Sequence, residues 1–240
     1  MKRVIGDFLH EQLFFPTSIA LFINPFYFAR KGLCNAMINF SSSLHGSLLD
    51  VGCGKKPYER LFNVDSYRGL DIDSAATREN DIADDLYDGN KFPYRNEVFD
   101  SLLCNQVLEH VFEPDLFLME MFRVLKPNGR LLLTVPFVWD EHEQPHDYAR
   151  YSSFGLSTLL SRNGFKILKQ EKLGCDVTVI FQLINAYLFK ITKNWHKSFR
   201  LIFTLTVIGF FNICGLILGK LLPKNPDLFL DQVILAEKIR

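Results

Sequence analysis

A chain of 240 residues, 48% of them apolar, is long enough to bury the core of one large α/β domain carrying an insertion, or of two small domains. Its 27 basic residues are matched by 27 acidic ones, which removes any global electrostatic case for nucleic acid as a partner. Five scattered cysteines, none in a Cys-x-x-Cys pair, argue against a disulfide framework or a zinc ribbon and point to a reducing, cytoplasmic setting.

Residues 1–46 are rich in Phe and form an N-terminal helical extension, with a helix predicted over 26–40 that ends at Ser41, Ser42 and Ser43. Asp7, Glu11, Pro16 and Pro25 interrupt the early apolar run, so it makes a poor signal peptide. From Ser47 the pattern becomes short β-branched or Leu-rich runs separated by Gly, Asp and Asn and alternating with helical stretches, as a parallel βαβ sheet requires. Strands are predicted at 47–51, 67–72, near Ile82, and at 99–104, 130–135 and 165–170. A helix is predicted over 114–125, where Pro114 suits the first turn and Leu116, Met119, Phe122, Val124 and Leu125 form the apolar face. Pro127-Asn128-Gly129 then turns the chain into the next strand. A second helix, Ser153–Arg162, begins at Ser152 or Ser153 and closes at Asn163-Gly164. Beyond Cys175 the chain changes in kind: 177–189 is apolar, a basic stretch follows, and 201–219 carries no charge. The chain ends with 231–238, which has strand character. The resulting division is an extension (1–46), a core (47–175), a hydrophobic helical insertion (176–226) and a closing strand (227–240).

Leu48-Leu49-Asp50-Val51-Gly52-Cys53-Gly54 reads as a buried strand running into a turn held by two glycines. Glycines there let the backbone bend tightly and let a ligand approach without meeting a Cβ. Ligands of open α/β sheets sit beyond the carboxyl ends of such strands. Asp71, at the end of the next strand, falls close to the roughly 20-residue spacing of a carboxylate that accepts hydrogen bonds from ribose hydroxyls. A nicotinamide dehydrogenase shares this geometry, but its fingerprint places a third glycine where this chain has Pro57.

With these residues in view, the segment 47–137 resembles the class I S-adenosylmethionine-dependent methyltransferases. The likeness is to the subgroup whose Leu-Asp-Val-Gly-Cys-Gly motif is followed by a basic residue and Pro57-Tyr58. Phe92-Pro93-Tyr94, Val98-Phe99-Asp100, Gln106-Val107-Leu108-Glu109-His110-Val111 and Arg123-Val124-Leu125-Lys126-Pro127-Asn128-Gly129 match in order. Asn128 replaces the family's usual Gly and still tolerates the positive φ of a turn. The resemblance implies a Rossmann-like, seven-stranded α/β sheet, mostly parallel with an antiparallel last strand, and S-adenosyl-L-methionine as cofactor. It implies that Gly52 and Gly54 cradle the methionine part, that Asp50 fixes the loop or reaches the amino group through water, and that Asp71 holds the ribose. An acidic residue after the third strand meets the adenine: Asp85 fits best, with Asp81 and Asp84 as rivals. Asn105 and Gln106 line the cofactor's other side.

The stretch from Trp139 to Tyr151 leaves the carboxyl end of the fifth strand, where it should overhang the transferred methyl group. Its expected active-site reading makes His142 or His146 a general base, with Asp147, Arg150 and Tyr151 positioning an anionic or hydroxylated acceptor. Three other readings stand beside it: a solvated loop, His146 and Asp147 capping the next helix, or a metal held by His142 and His146. The last lacks a third ligand at a convincing spacing, and no metal is assigned. His110, beside Glu109, is read as a brace for the loop.

The charge-free run 201–219 approaches the roughly 20 residues of a transmembrane helix. A single crossing would strand the closing strand on the far side of a bilayer. Three arrangements remain: a re-entrant hairpin with 177–189, helices lying on the membrane, or a hydrophobic cap. Lys197, Arg200, Lys220 and Lys224 flank the run, as docking on anionic headgroups would require. The leading expectation is a methyltransferase peripheral to the cytoplasmic membrane face, acting on a lipid-linked or glycan-related acceptor. Its alternatives are a soluble small-molecule methyltransferase with the insertion as a lid, and a non-catalytic adenosyl-cofactor binding module.

Overall fold

The backbone is described for residues 2–80 and 82–239 of a computed structural model, and the side chains for residues 6–79 and 82–239. The chain divides into two units, one built from 37–137, 141–171 and 232–240, the other from 1–36, 138–140 and 172–231. In chain order the helices are α1 (Lys2–Phe14), α2 (Ala20–Ile23), α3 (Tyr27–Phe40), α4 (Ala75–Asn80), α5 (Pro114–Val124), α6 (Ser153–Arg162), α7 (Thr178–Ile191), α8 (Lys197–Phe203) and α9 (Gly209–Leu221). The strands are β1 (Ser47–Val51), β2 (Ser66–Ile72), β3 (Asp85–Tyr87), β4 (Phe99–Asn105), β5 (Leu125–Pro136), β6 (Phe165–Leu173) and β7 (Asp231–Lys238).

The sheet has the order β3-β2-β1-β4-β5-β7-β6 and is mostly parallel, with antiparallel last strands. Strands covered on both faces need near-continuous apolar runs, and the last four residues of β1 are all buried. Asp50 on β1 stands opposite Gly69 of β2 on one side and Leu103 of β4 on the other. The strand order reverses between β1 and β4, so the carboxyl ends of these two strands flank a topological switch point. Open α/β sheets bind their ligands at such a point.

Helix α5 begins with Pro114 at its first turn and buries Phe117, Leu118, Met121 and Val124. The expected face is thereby corrected, since Leu116 and Met119 are exposed. Both sets satisfy helical spacing, and only packing in one core cluster with Leu102, Leu131 and Leu133 of the sheet selects between them. Helix α6 is capped by the Ser152 hydroxyl, which accepts from Gly155 N at 3.1 Å. Strand β5 starts before the Pro-Asn-Gly turn, because Leu125 already pairs with Phe99; the register then jumps to Ser101 opposite Arg130. Residues 126–129 bulge between these pairs, with Asn128 at φ 61°. The third strand lies beyond its expected place near Ile82, because its pairing with β2 sets Asp85, Leu86 and Tyr87 opposite Leu70, Asp71 and Ile72.

In the second unit, α7 and α9 carry polar side chains on otherwise apolar helices. Gln182 Oε1 accepts from Phe28 N at 3.0 Å and Ala29 N at 3.2 Å, while its Nε2 donates to Pro25 O at 2.9 Å. These bonds satisfy amides that the first turn of α3 would otherwise leave without acceptors. Asn185 Nδ2 donates to Asn212 Oδ1 at 2.8 Å, and Asn212 Nδ2 donates to Leu21 O at 2.8 Å and Asn24 O at 3.2 Å. The N-terminal helices and the late apolar helices are thus one structure. Asn212→Ala is expected to lower stability by about 1–3 kcal/mol by orphaning these buried groups. Thermal unfolding identical to wild type would show that the network is not formed.

A π-helical turn, Thr204–Ile208, joins α8 to α9. Together they make one helix, Lys197–Leu221, of 25 residues, long and apolar enough to cross a membrane by length and composition, with a mean hydropathy of 2.4 over its most apolar 18-residue window. Only 22% of its most apolar window is buried, and Phe199, Ile202, Phe210 and Leu221 lie exposed.

Candidate active site

The turn after β1 is built by its two glycines in different ways. Gly52 has φ 71°, and a Cβ there would drive into the Val107 side chain. Gly54 has φ 51°, and a Cβ there would meet nothing within 4 Å. One glycine is needed for close packing, and the other leaves open space above the turn. Gly54 N donates to Asp71 Oδ2 at 3.0 Å, and Asp71 Oδ1 accepts from Ile72 N at 2.8 Å, so Asp71 ties the turn to the end of β2. Asp50 is 4% exposed, and its carboxylate accepts the Tyr67 hydroxyl at 2.6 Å. Burial pushes its carboxyl up to about 7, against the pull of that hydrogen bond and with help from the nearby charge of Asp71.

The later position of β3 changes the reading of the acidic cluster. Asp85 opens the strand instead of following it, and its carboxylate is held by the Arg68 guanidinium and by the Tyr94 hydroxyl at 2.7 Å. Asp84 accepts from Gly69 N and from Lys56 Nζ, both at 2.6 Å. Asp81 lies outside the described residues. The residue beyond the carboxyl end of β3 is Asp88, exposed, with its carboxylate turned back onto Asn90 N at 2.9 Å and Lys91 N at 3.2 Å. Asp88 does not stand out in the sequence, because a three-residue strand cannot be placed from hydropathy alone.

At the end of β4, Asn105 Oδ1 accepts the Thr134 hydroxyl at 2.7 Å. Gln106 follows at φ 58°, with its N–H bonded to Thr134 O at 3.1 Å. A non-glycine residue held in the left-handed region costs about 1–3 kcal/mol, and such strain clusters at functional positions. Thr134, buried on β5, is the anchor for both and was not singled out from the sequence.

The loop after β5 divides its predicted residues. Asp147 takes a bidentate pair from Arg150, at 2.6 and 2.7 Å, and accepts His142 N at 2.9 Å. Arg150 holds the Asp147 carboxyl well below the usual carboxylate range. Tyr148 N and Ala149 N donate to the Glu109 carbonyl at 2.9 and 3.2 Å, fastening the loop to the turn after β4. Tyr151 packs half-buried against the core, and its carbonyl accepts from Gln232 at 2.7 Å. The two histidines part company. His146 Nδ1 lies 3.0 Å from the Tyr148 hydroxyl, and its carbonyl accepts from His110 Nδ1 at 2.7 Å. His142 instead stacks edge-on against His110, with ring centroids 4.7 Å apart. Glu109, His110 and His142 place ligand-capable atoms within 4.8 Å of one another. This cluster joins residues from two loops, so no local spacing announces it.

Residues 49–133 match the family described as "Methyltransferase domain". Over these 85 of its 240 residues the chain is similar to a methyltransferase domain. Norajmaline N-methyltransferase of Rauvolfia serpentina is 25% identical over 150 residues, which cover 54% of this chain and 51% of that protein. This chain therefore spans about half the length of that relative. Among solved structures, the [4+2]-cyclase SpnF superposes with TM-score 0.58 at 21% identity, covering 88% of this chain and 82% of that one. Phosphoethanolamine N-methyltransferase 2 of Haemonchus contortus, in complex with S-adenosyl-L-methionine, superposes with TM-score 0.57 at 16% identity, covering 98% of this chain and 57% of that one. These likenesses are of fold, and the cyclase illustrates that the fold alone does not name a reaction.

The methyl donor that the sequence resemblance implies is S-adenosyl-L-methionine. The residues of this chain suit it. Open space lies above Gly54, and carboxylates stand on or just beyond three successive strands: Asp50, Asp71 and Asp88. A molecule carrying an ammonium, a ribose diol and an exocyclic amine offers a donor to each.

Proposed function

We propose that the whole protein transfers a methyl group from S-adenosylmethionine to a lipid-linked or glycan-related acceptor at a membrane surface. The observation that carries the acceptor class is the exposed apolar helix Lys197–Leu221, whose charge-free run 201–219 is flanked by Lys197, Arg200, Lys220 and Lys224. When bound, the cofactor supplies an electrophilic methyl carbon on a sulfonium, so the protein's tasks are alignment of a nucleophile and exclusion of water. In this reading Gly52, Gly54 and Asp50 receive the methionine part and Asp71 the ribose. Asp88 takes the adenine role expected of Asp85, and Asn105 and Gln106 line the opposite side. His142 faces the acceptor. Asp147 and Arg150 hold the loop through their mutual pair, and His146 and Tyr151 support it.

The test is transfer of a labelled methyl group from S-adenosylmethionine to cell extract split into aqueous and lipid fractions. Label is expected in the lipid fraction. Label confined to small aqueous molecules would favour the soluble enzyme with the insertion as a lid, and no transfer with intact cofactor binding would favour a binding module. Membrane contact has its own check. The full chain is expected to float with vesicles containing anionic lipid, and Phe199→Glu with Phe210→Glu should leave it in the aqueous layer. A wild-type chain that stays aqueous without detergent overturns the membrane reading.

A further inference from the structure

Helices α7 and α9 are inverted in polarity. A helix on the surface of a water-soluble domain turns its apolar side chains inward and its polar ones to solvent. In α7 the buried side chains include Thr178, Gln182, Asn185 and Ala186, while Ile180, Tyr187 and Ile191 are exposed. In α9 the buried positions are Gly209, Asn212 and Gly215, while Phe210, Ile217 and Leu221 are exposed. The inner faces meet closely. A Cβ on Gly215 would stand 2.7 Å from the Phe28 ring and 3.0 Å from Phe181 Cβ, and one on Gly219 would stand 3.0 Å from Thr178. Hydroxyls are satisfied within the helix itself: Thr206, although exposed, donates to Ile202 O at 2.8 Å, and Thr204 donates to Arg200 O at 2.8 Å. Small and mutually bonded polar residues between helices, with large apolar ones outward, are what hydrocarbon selects when it takes the place of water.

We propose that α7 and the helix Lys197–Leu221 lie side by side in the hydrocarbon of a single bilayer leaflet, with both ends on the same membrane face. The occupant of their exposed face is lipid acyl chain, and anionic headgroups meet its ends. The proposal rests on the membrane contact proposed above and adds its depth and topology. Charge supports it, because residues 190–224 carry six Lys or Arg side chains and no Asp or Glu, and none of the six lies within 201–219. Arg200 lays its guanidinium over the Phe189 ring at 4.1 Å, a long basic side chain resting on apolar surface near the helix end. A crossing conflicts with both length and anchorage. With 14 residues at about 1.5 Å each, α7 reaches about 21 Å of a hydrocarbon core roughly 30 Å thick. Both of its ends also return to residues 138–140. Just before α7, Leu173 O accepts from Leu230 N at 3.0 Å, and Leu230 O accepts from Val138 N at 3.2 Å. At the other end Lys190 pairs with Asp140 at 2.7 Å, and Phe26 packs on both Phe189 and Trp139, with ring centroids 5.1 and 5.9 Å apart. Three residues span about 10 Å at most, so they cannot hold the two ends of α7 on opposite faces of a bilayer. A helix about 10–12 Å across does fit within one leaflet of about 15 Å.

Two measurements on the full chain, bound to vesicles containing anionic lipid, test this. A high-salt wash is expected to leave the unmodified chain bound, because screening releases proteins held by charge alone and not those held by immersed apolar surface. Depth is read from a single tryptophan, placed by Phe210→Trp in a chain carrying Trp139→Phe and Trp195→Phe, with thermal unfolding matched to wild type as the check on its fold. Phe210 is exposed near the middle of Lys197–Leu221. Its replacement is expected to be quenched about twofold or more strongly by phospholipid brominated high on the acyl chain than by phospholipid brominated near the chain end, as for a helix lying about 5–10 Å below the headgroup boundary. Stronger quenching from the chain end would mark a helix that crosses the bilayer and overturns the proposal. Quenching by neither lipid, or release by salt of a chain that otherwise floats, leaves the surface contact standing and overturns the immersion. A chain that does not float with the vesicles at all overturns both.

Discussion

Gly54→Ala is expected to leave the domain folded while raising the Kd for S-adenosylmethionine by about 100-fold, a loss of about 2.7 kcal/mol. A Cβ at Gly54 meets no protein atom, so the folded chain loses only the left-handed backbone preference, about 1–2 kcal/mol. In the proposed binding mode the same methyl group occupies the space where the cofactor lies against the backbone. Gly52→Ala should behave in the opposite way. Its Cβ collides with Val107 and its φ is also positive, so destabilisation comes first and weak binding follows from it. Calorimetric titration paired with thermal unfolding separates the two. Wild-type affinity in Gly54→Ala would mean that the cofactor does not approach this turn.

The second large effect is a pH dependence at Asp50. In the unfolded chain its carboxyl ionises near 3.8, whereas in the fold burial raises it to about 7. Below the unfolded value both states hold the proton and Asp50 costs nothing. As pH rises from about 4 to 7 the unfolded state ionises first, so the folded state is progressively penalised, and above 7 the penalty is complete. At about 1.4 kcal/mol per pH unit this amounts to a few kcal/mol. Asp50→Asn removes that titration while keeping an acceptor for the Tyr67 hydroxyl. The cofactor-free variant is therefore expected to be more stable than wild type at pH 8 and to differ from it little at pH 4.5, as read by denaturant unfolding. A stability difference that does not change with pH would show that Asp50 stays ionised in the fold. The same substitution should weaken cofactor binding, because the carboxylate proposed to face the methionine ammonium is gone.

Much of the sheet was legible because parallel strands buried on both faces must be continuous apolar runs, and β1, β2 and β4 emerged at nearly their observed bounds. The turn at Gly52 and Gly54 was legible for a related reason. A turn at a strand end needs particular backbone conformations, and only a few residue types adopt them. The failures occurred where local pattern is degenerate. Leu116 and Phe117 both satisfy helical spacing in α5, and β3 is too short for its register to be read without β2 beside it. That register moved the residue beyond the strand from Asp85 to Asp88.

By itself, the sequence determined the sheet's central strands, the glycine turn, the resemblance to a methyltransferase domain and a helix long and apolar enough to meet a membrane. These follow from periodicity, from the conformational needs of a turn and from hydropathy, all of which act between near neighbours along the chain. Only the tertiary structure decided that Gln182 and Asn212 join the late apolar helices to the N-terminal ones, that Asp85 is occupied by Arg68 and Tyr94, and that His142 meets Glu109 and His110 while His146 turns to Tyr148. Hydrogen bonds and ligand geometry act over a few ångströms in space, and residues far apart in the chain reach that range only once the fold has closed.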